Sequence, residues 1–157
     1  MFLPDLFGAA QVVKKALPII AEEIRKQGKK AQNLGKVVIG TVFGDIHNIG
    51  KDVVATLLFA AGFEIIDLGV NVRGEEFLSA VDEHKPDILA MSALLTTTAM
   101  EQKRVIEGLK RGGIRDKVKV LVGGSPINQE FADMIGADGY GATGPEGVQV
   151  ARKLMGK

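Results

Sequence analysis

The sequence predicts an α/β domain: a flavodoxin-like (Rossmann-like) sheet of five parallel strands in the order 2-1-3-4-5, with helices flanking it. Three observations predict it. From Lys36 onward a short β-branched apolar run, a Gly- or Asp-containing loop and an amphipathic helix recur five times. The apolar runs are continuous rather than alternating, which is how strands covered on both faces read. The chain has 157 residues and no cysteine, enough for one self-sufficient core without disulfides.

In chain order, strands are expected over residues 37–42, 64–68, 88–92, 119–122 and, as a short fifth, 138–140. Helices are expected between and after them over 51–61, 74–84, 98–111, 128–135 and 145–155. In such sheets ligands sit beyond the carboxyl ends of the strands, so the search for chemistry narrows to five loops. Residues 5–28 stand outside the repeat. They form a helical pattern whose stripe runs Val13, Leu17, Ile20 and Ile24, widened by Val12, Ala16 and Ile19, with Pro18 as a kink or a second helix start. The chain therefore divides into a helical segment and linker over 1–35 and a sheet domain over 36–157. Residues 14–36 carry seven basic side chains against Glu22 and Glu23, which suits a solvated helix face or an acidic partner.

Composition excludes several classes. Without cysteine there is no thiolate zinc site, cysteine nucleophile or cysteine-held iron–sulfur cluster. A formal net charge of +1 is too small for a nucleic-acid binder. The start lacks a leader pattern and no stretch approaches ~18 uninterrupted apolar residues, so the chain reads as soluble, cytoplasmic and without a membrane span. Glycine is the anomaly, with 20 in 157 residues, about 13% against a usual ~7%.

The loop after the first strand, Gly44, Asp45, Ile46, His47, Asn48, Ile49 and Gly50, is the most informative segment. An imidazole with a carboxylate two residues earlier can be fixed in one tautomer through one ring nitrogen, leaving the other free as base or metal ligand. Taken alone, local loop structure accounts for the pair equally well. The third strand ends in Ser92, Ala93, Leu94, Leu95, Thr96, Thr97 and Thr98, where one threonine is expected to cap the next helix. The fourth strand ends at Gly123 and Gly124, and the fifth reaches Tyr140 and Gly141. Glycines at two adjacent strand ends beside small hydroxyl residues on a third leave a channel where a flat ligand can approach backbone. A phospho-accepting receiver site, a P-loop and a dinucleotide fingerprint are absent, and His84 falls at the opposite end of the sheet, too far to join His47 in a zinc site.

These residues resemble the cobalamin-binding domain of corrinoid proteins. The pattern Asp45-x-His47-x-x-Gly50, then 41 residues, Ser92-x-Leu94, then 28 residues, Gly123-Gly124 keeps three of that family's motifs in register. The opening Phe2-Leu3-Pro4 and the segment GKVVIGTVFGDIHNIGKDVV are similar to the methyl-transfer branch, methionine synthase and the methyltransferase cognate corrinoid proteins. In that branch a helical bundle precedes the domain. The resemblance makes 1–35 a remnant of this cap, with Leu3 over the upper face of the corrin. Phe43 departs from the polar residue expected before Gly44-Asp45.

The resemblance implies that the cofactor is cobalamin or a related corrinoid, cycling between methylcobalamin and cob(I)alamin. His47 would be the axial ligand to cobalt, with Asp45 and Thr98 as its relay. Gly44, Ile46, Asn48, Ile49, Gly50, Ser92, Leu94, Thr96, Gly123, Gly124, Tyr140 and Gly141 would bind the rest, the nucleotide tail threading between sheet and helices. It implies a methyl carrier, part of a methyltransferase system rather than a stand-alone enzyme. Its partners would be a substrate:corrinoid methyltransferase, an acceptor methyltransferase and a corrinoid reductive-activation protein, with a homo-oligomer through the N-terminal helix as a further expectation. Two readings share part of the pattern: the small subunit of an adenosylcobalamin-dependent mutase, and a non-catalytic corrinoid storage or sensor module.

Overall fold

Each β-branched run forms a strand whose side chains alternate between two apolar layers, and that alternation organises the molecule. The computed structural model describes residues 33–157 and, before them, helical positions 11, 12, 15, 16, 18–20, 22, 23 and 26. The order is β1 (Gly35–Thr41), α1 (Ile49–Ala61), β2 (Phe63–Asp67), α2 (Gly74–His84), β3 (Ile88–Ser92), α3 (Thr96–Arg111), a 3-10 turn (Arg115–Lys117), β4 (Lys119–Gly123), α4 (Gln129–Ile135), β5 (Gly139–Tyr140) and α5 (Gly144–Leu154). All pairings are parallel and the sheet order is β2-β1-β3-β4-β5, as expected from the sequence.

Along β1, Val37 and Ile39 face one layer and Val38 the other. The first layer joins Leu58 of α1 and Ala151 of α5 to Ile88, Ala90 and Leu121. The second, larger layer packs Phe77, Ile106 and Leu109, from α2 and α3, on Val38, Leu89 and Val120. Burying each such side chain fully contributes about 1.5–3 kcal/mol. Thr41, Ser92 and Gly123 are register partners across β1, β3 and β4. The strand ends that carry the motif residues therefore finish side by side at one rim of the sheet.

The boundaries differ from expectation by one or two residues, for local reasons. β1 starts at Gly35, paired with Phe63, and ends at Thr41. Val42 leaves the strand to bridge Val72. α1 begins at Ile49 and α3 at Thr96, two residues early in each case. No threonine caps α3: Leu95 occupies the cap position, and Thr98, three residues on, accepts the Leu95 N–H from inside the first turn. Thr143 does cap α5, accepting the Glu146 N–H, and Asn128 caps α4 through the Phe131 N–H.

Leu3 and the stripe residues Val13, Leu17 and Ile24 lie outside the described residues. Pro18, Ile19 and Ile20 are helical, and Val12, Ile19 and Ile20 are exposed. Among the described residues no helix is long and apolar enough to cross a membrane.

Candidate functional site

The turn from Phe43 to Asn48 joins β1 to α1 at the carboxyl rim. Gly44 makes it, at φ +80°, a backbone region open to residues without a Cβ. The Thr41 hydroxyl, fully buried, donates to the His47 carbonyl at 2.9 Å and ties the far side of the turn to the strand end.

Asp45 is buried beneath this turn and accepts four hydrogen bonds. Its Oδ1 takes the His47 N–H at 3.1 Å and stands 2.7 Å from His47 Nδ1; its Oδ2 takes the Leu94 N–H at 2.7 Å and the Thr98 hydroxyl at 2.8 Å. Burial pushes the carboxyl up, but the Leu94 and His47 N–H groups, the imidazole and the Thr98 hydroxyl together hold it well below the usual carboxylate range. A carboxylate this firmly ionised can only accept, so in neutral His47 the proton sits on Nδ1 and Nε2 keeps a free lone pair. The His47 side chain is half exposed at 49% and lines the cavity at the rim.

Phe43, Ile46 and Ile49, on the His47 turn and the start of α1, are exposed, as are Leu94 and Leu95 of the segment whose Leu94 N–H binds Asp45. Exposed apolar side chains clustered on one surface mark an interaction site rather than a core. Beside them a cavity of about 240 Å³ runs down between the sheet and helices α1 and α5, room for an organic group where a single water has a ~30 Å³ share of liquid volume. Ile39, Ala90 and Leu121 form its sheet wall, and Gly50, Val54 and Gly147 its helix wall.

The structure brings His47, Gly50, Ser92, Leu94, Gly123, Gly124 and Gly141 together around this cavity. Asp45 and Thr98 stand behind the imidazole. Gly44, Ile46, Asn48 and Ile49 belong to its turn, and Thr96 opens α3 exposed at the rim. Tyr140 is not among the lining residues. The β-pleat turns it to the other sheet face, where it packs on the cluster that contains Val122.

The glycines divide by role. A Cβ on Gly50 would meet nothing within 4 Å, so this position holds space open. Gly124, at φ +130°, would place a Cβ 1.7 Å from the Ala93 carbonyl oxygen, so its missing side chain is used by the protein's own backbone. A Cβ on Gly123 would stand 3.0 Å from the Gly141 oxygen, making that position part of the crowding between strand ends as well.

Among the residues that escaped the sequence reading are Lys51 and Gln102. Lys51, 2% exposed on α1 and lining the cavity, pairs with Asp52 at 2.6 Å and Asp67 at 2.5 Å. Gln102, fully buried on α3, donates Nε2 to the carbonyls of Met91 and Gly123, joining the ends of β3 and β4, while its Oε1 has no partner. A lysine directly after the Gly50 of the motif was a visible signal; Gln102 had none. Among the described residues no group of three or more His, Asp or Glu could hold a metal ion. The donor set thus offers a metal one protein ligand, His47 Nε2. A macrocycle that brings its own nitrogen donors fits that set, the exposed apolar side chains near His47 suit its face, and the cavity at Gly50 suits an appended tail.

The B12 binding domain family matches residues 35–149. The trimethylamine corrinoid protein 2 of Methanosarcina mazei is 47% identical over 155 residues, covering 99% of this chain and 71% of its own. Among solved structures, the monomethylamine corrinoid protein of Methanosarcina barkeri superposes with a TM-score of 0.82 at 34% identity, covering 98% of this chain and 72% of its own. The methanol:cobalamin methyltransferase complex from the same organism gives 0.74 at 33% identity, covering 99% and 58%.

Proposed function

The chain belongs to the B12 binding domain family, and on that premise we propose that it is a corrinoid-binding methyl carrier, shuttling a methyl group between a substrate:corrinoid methyltransferase and an acceptor methyltransferase. The observation that carries the reading is the Asp45–His47 pair, 2.7 Å apart, presenting a free Nε2 within an apolar rim beside an open cavity.

When bound, the corrin supplies the cobalt that accepts and surrenders the methyl group. The rest falls to the chain's own residues. His47 Nε2 would hold the cobalt. Asp45 fixes the tautomer and aims the ring, and the Leu94 N–H and Thr98 hydroxyl fix Asp45. Ser92, Leu94, Gly50 and Gly141 line the channel for the nucleotide tail.

The finer partners belong to the same proposal: a reductive-activation protein, and a second copy across the exposed Val12, Ile19 and Ile20. So does a cytoplasmic location. The match to named corrinoid proteins over nearly the whole chain, residues before β1 included, favours this reading over the mutase subunit.

The test is reconstitution with hydroxocobalamin. The expected result is one corrinoid per chain with an imidazole-ligated spectrum that His47→Gly abolishes, and a bound methyl group that a partner methyltransferase removes. Unchanged spectrum and affinity in His47→Gly would sink the ligand assignment. Bound cobalt that partners neither methylate nor demethylate would make the protein a storage module.

A further inference from the structure

Two non-glycine residues among those described have left-handed backbone, Lys85 at φ +48° and Asn71 at φ +53°. Lys85 follows the last turn of α2, an ordinary place for that conformation. Asn71 ends no helix. It lies in the loop of residues 68–73 between β2 and α2, and it makes two hydrogen bonds to the turn that carries His47. Its backbone N–H donates to the Asp45 carbonyl at 2.8 Å, and its Oδ1 accepts the Gly44 N–H at 2.8 Å. A backbone N–H can only donate, so the orientation of the amide is fixed.

Three further contacts tie the loop down, two to the end of β1 and one to the turn. The Thr41 N–H donates to the Gly69 carbonyl at 2.9 Å, and the Val72 N–H to the Thr41 carbonyl at 3.0 Å. The Arg73 guanidinium lies 5.7 Å from the Phe43 ring centroid, within cation–π range. Phe43, apolar where a polar residue was expected, thus finds its partner on the same loop.

Asn71 matters because of what it restrains. Gly44 has no Cβ and would otherwise sample a wide range of conformations, and it immediately precedes Asp45. With Gly44 N–H and Asp45 C=O both bound by one residue, the backbone that places the Asp45 carboxylate is held from both sides. Asp45 Oδ1 in turn holds the imidazole through Nδ1. We propose that Asn71 is a positioning residue for the axial imidazole: the loop between β2 and α2 latches the histidine turn and so sets the direction of His47 Nε2. The inference rests on the reading of His47 as the lower ligand.

The test compares Asn71→Gly with Asn71→Asp in the full chain, loaded with methylcobalamin and without corrinoid. Glycine keeps the left-handed backbone but loses the acceptor; aspartate keeps both. Asn71→Gly is expected to lower the ratio of imidazole-bound to imidazole-free corrinoid in the visible spectrum about fivefold, the weight of one ordinary hydrogen bond. It is also expected to speed hydrogen exchange at the Gly44 amide in the corrinoid-free protein. Asn71→Asp restores both. An Asn71→Gly protein with the wild-type ratio and wild-type exchange overturns the latch. His47→Gly run alongside separates the two failures: if its spectrum equals that of wild type, the ligand reading falls and this inference with it; if it differs while Asn71→Gly matches wild type, the latch alone is wrong.

Discussion

Thr98 Oγ1 lies 2.8 Å from Asp45 Oδ2, a contact that spans 53 residues and joins the first turn of α3 to the turn after β1. Both side chains are buried. Thr98→Val keeps the shape and removes the donor, leaving the carboxylate with three of its four hydrogen bonds. Folding stability of the corrinoid-free protein should fall by about 1–3 kcal/mol, the usual result of leaving part of a buried charged group unsatisfied. Urea denaturation at neutral pH measures it. Loss of no more than a few tenths would mean that the other three donors already hold Asp45 in full.

The depressed Asp45 carboxyl fixes the sign of a pH dependence. Its folded-state pKa lies below the unfolded value, so the stabilisation is present above the ordinary carboxylate range and disappears as pH falls through and below about 4. Asp45→Asn removes the titrating group and sets an NH2 against donors. The stability gap between wild type and Asp45→Asn should therefore be widest from pH 5 to 7 and narrow steadily toward pH 2. Denaturation curves at several pH values give the gap, and a gap independent of pH would disprove the linkage.

Gly50 offers a cleaner probe of the cavity than Gly123, because a Cβ there meets nothing within 4 Å. Gly50→Leu should leave the corrinoid-free fold intact, or stabilise it by up to about 1 kcal/mol through helix propensity. The same side chain would project into the cavity. Affinity for complete cobalamin should fall roughly 10–100-fold, the range expected of 1–3 kcal/mol of overpacking, while cobinamide, which lacks the nucleotide tail, should bind as before. Titration with both corrinoids decides it: equal losses place the obstruction at the corrin, and no loss removes the tail from this cavity.

What could be read in advance followed the range of the interactions. Continuous β-branched runs such as Val37–Val38–Ile39 announce buried parallel strands because the signal lies within each strand. Asp45 and His47 are two residues apart, so their pairing was legible as a possibility before any fold was known. Thr98 was legible as a strand-end hydroxyl and a possible cap, but its link to Asp45 entered only through the family resemblance, since nothing local ties it to a carboxylate 53 residues away. Asn71 and Gln102, and Lys51 through Asp67, act on groups from 11 to 27 residues distant that meet only after the sheet assembles. Gly124 shows what the sequence leaves open. It lines the cavity, as its context suggested, but its φ of +130° and its approach to the Ala93 carbonyl mean that the protein's own backbone already requires the missing side chain. The rim could be found from strand ends; the division of labour among its glycines needed their torsions and neighbours.

Lys51 ties the first turn of α1 to the end of β2, one turn after His47, through Asp52 and Asp67. The ammonium is nearly inaccessible at 2%, whereas the carboxylates are 23% and 38% exposed. Removing the lysine therefore leaves two charges that water can still reach, while removing Asp67 leaves a buried cation with one remaining partner. For a fully buried pair the loss of one member costs about 3–5 kcal/mol; partial solvation of the carboxylates should bring Lys51→Met nearer 2 kcal/mol. Asp67→Asn should cost less, since Asp52 and the new amide oxygen both still accept from Nζ. The double mutant separates pairing from packing, with an expected coupling of about 1–2 kcal/mol between the two positions. Because Lys51 also lines the cavity, Lys51→Met should weaken cobalamin binding more than Asp67→Asn does. Equal binding by the two variants would confine the pair to holding α1 on the sheet.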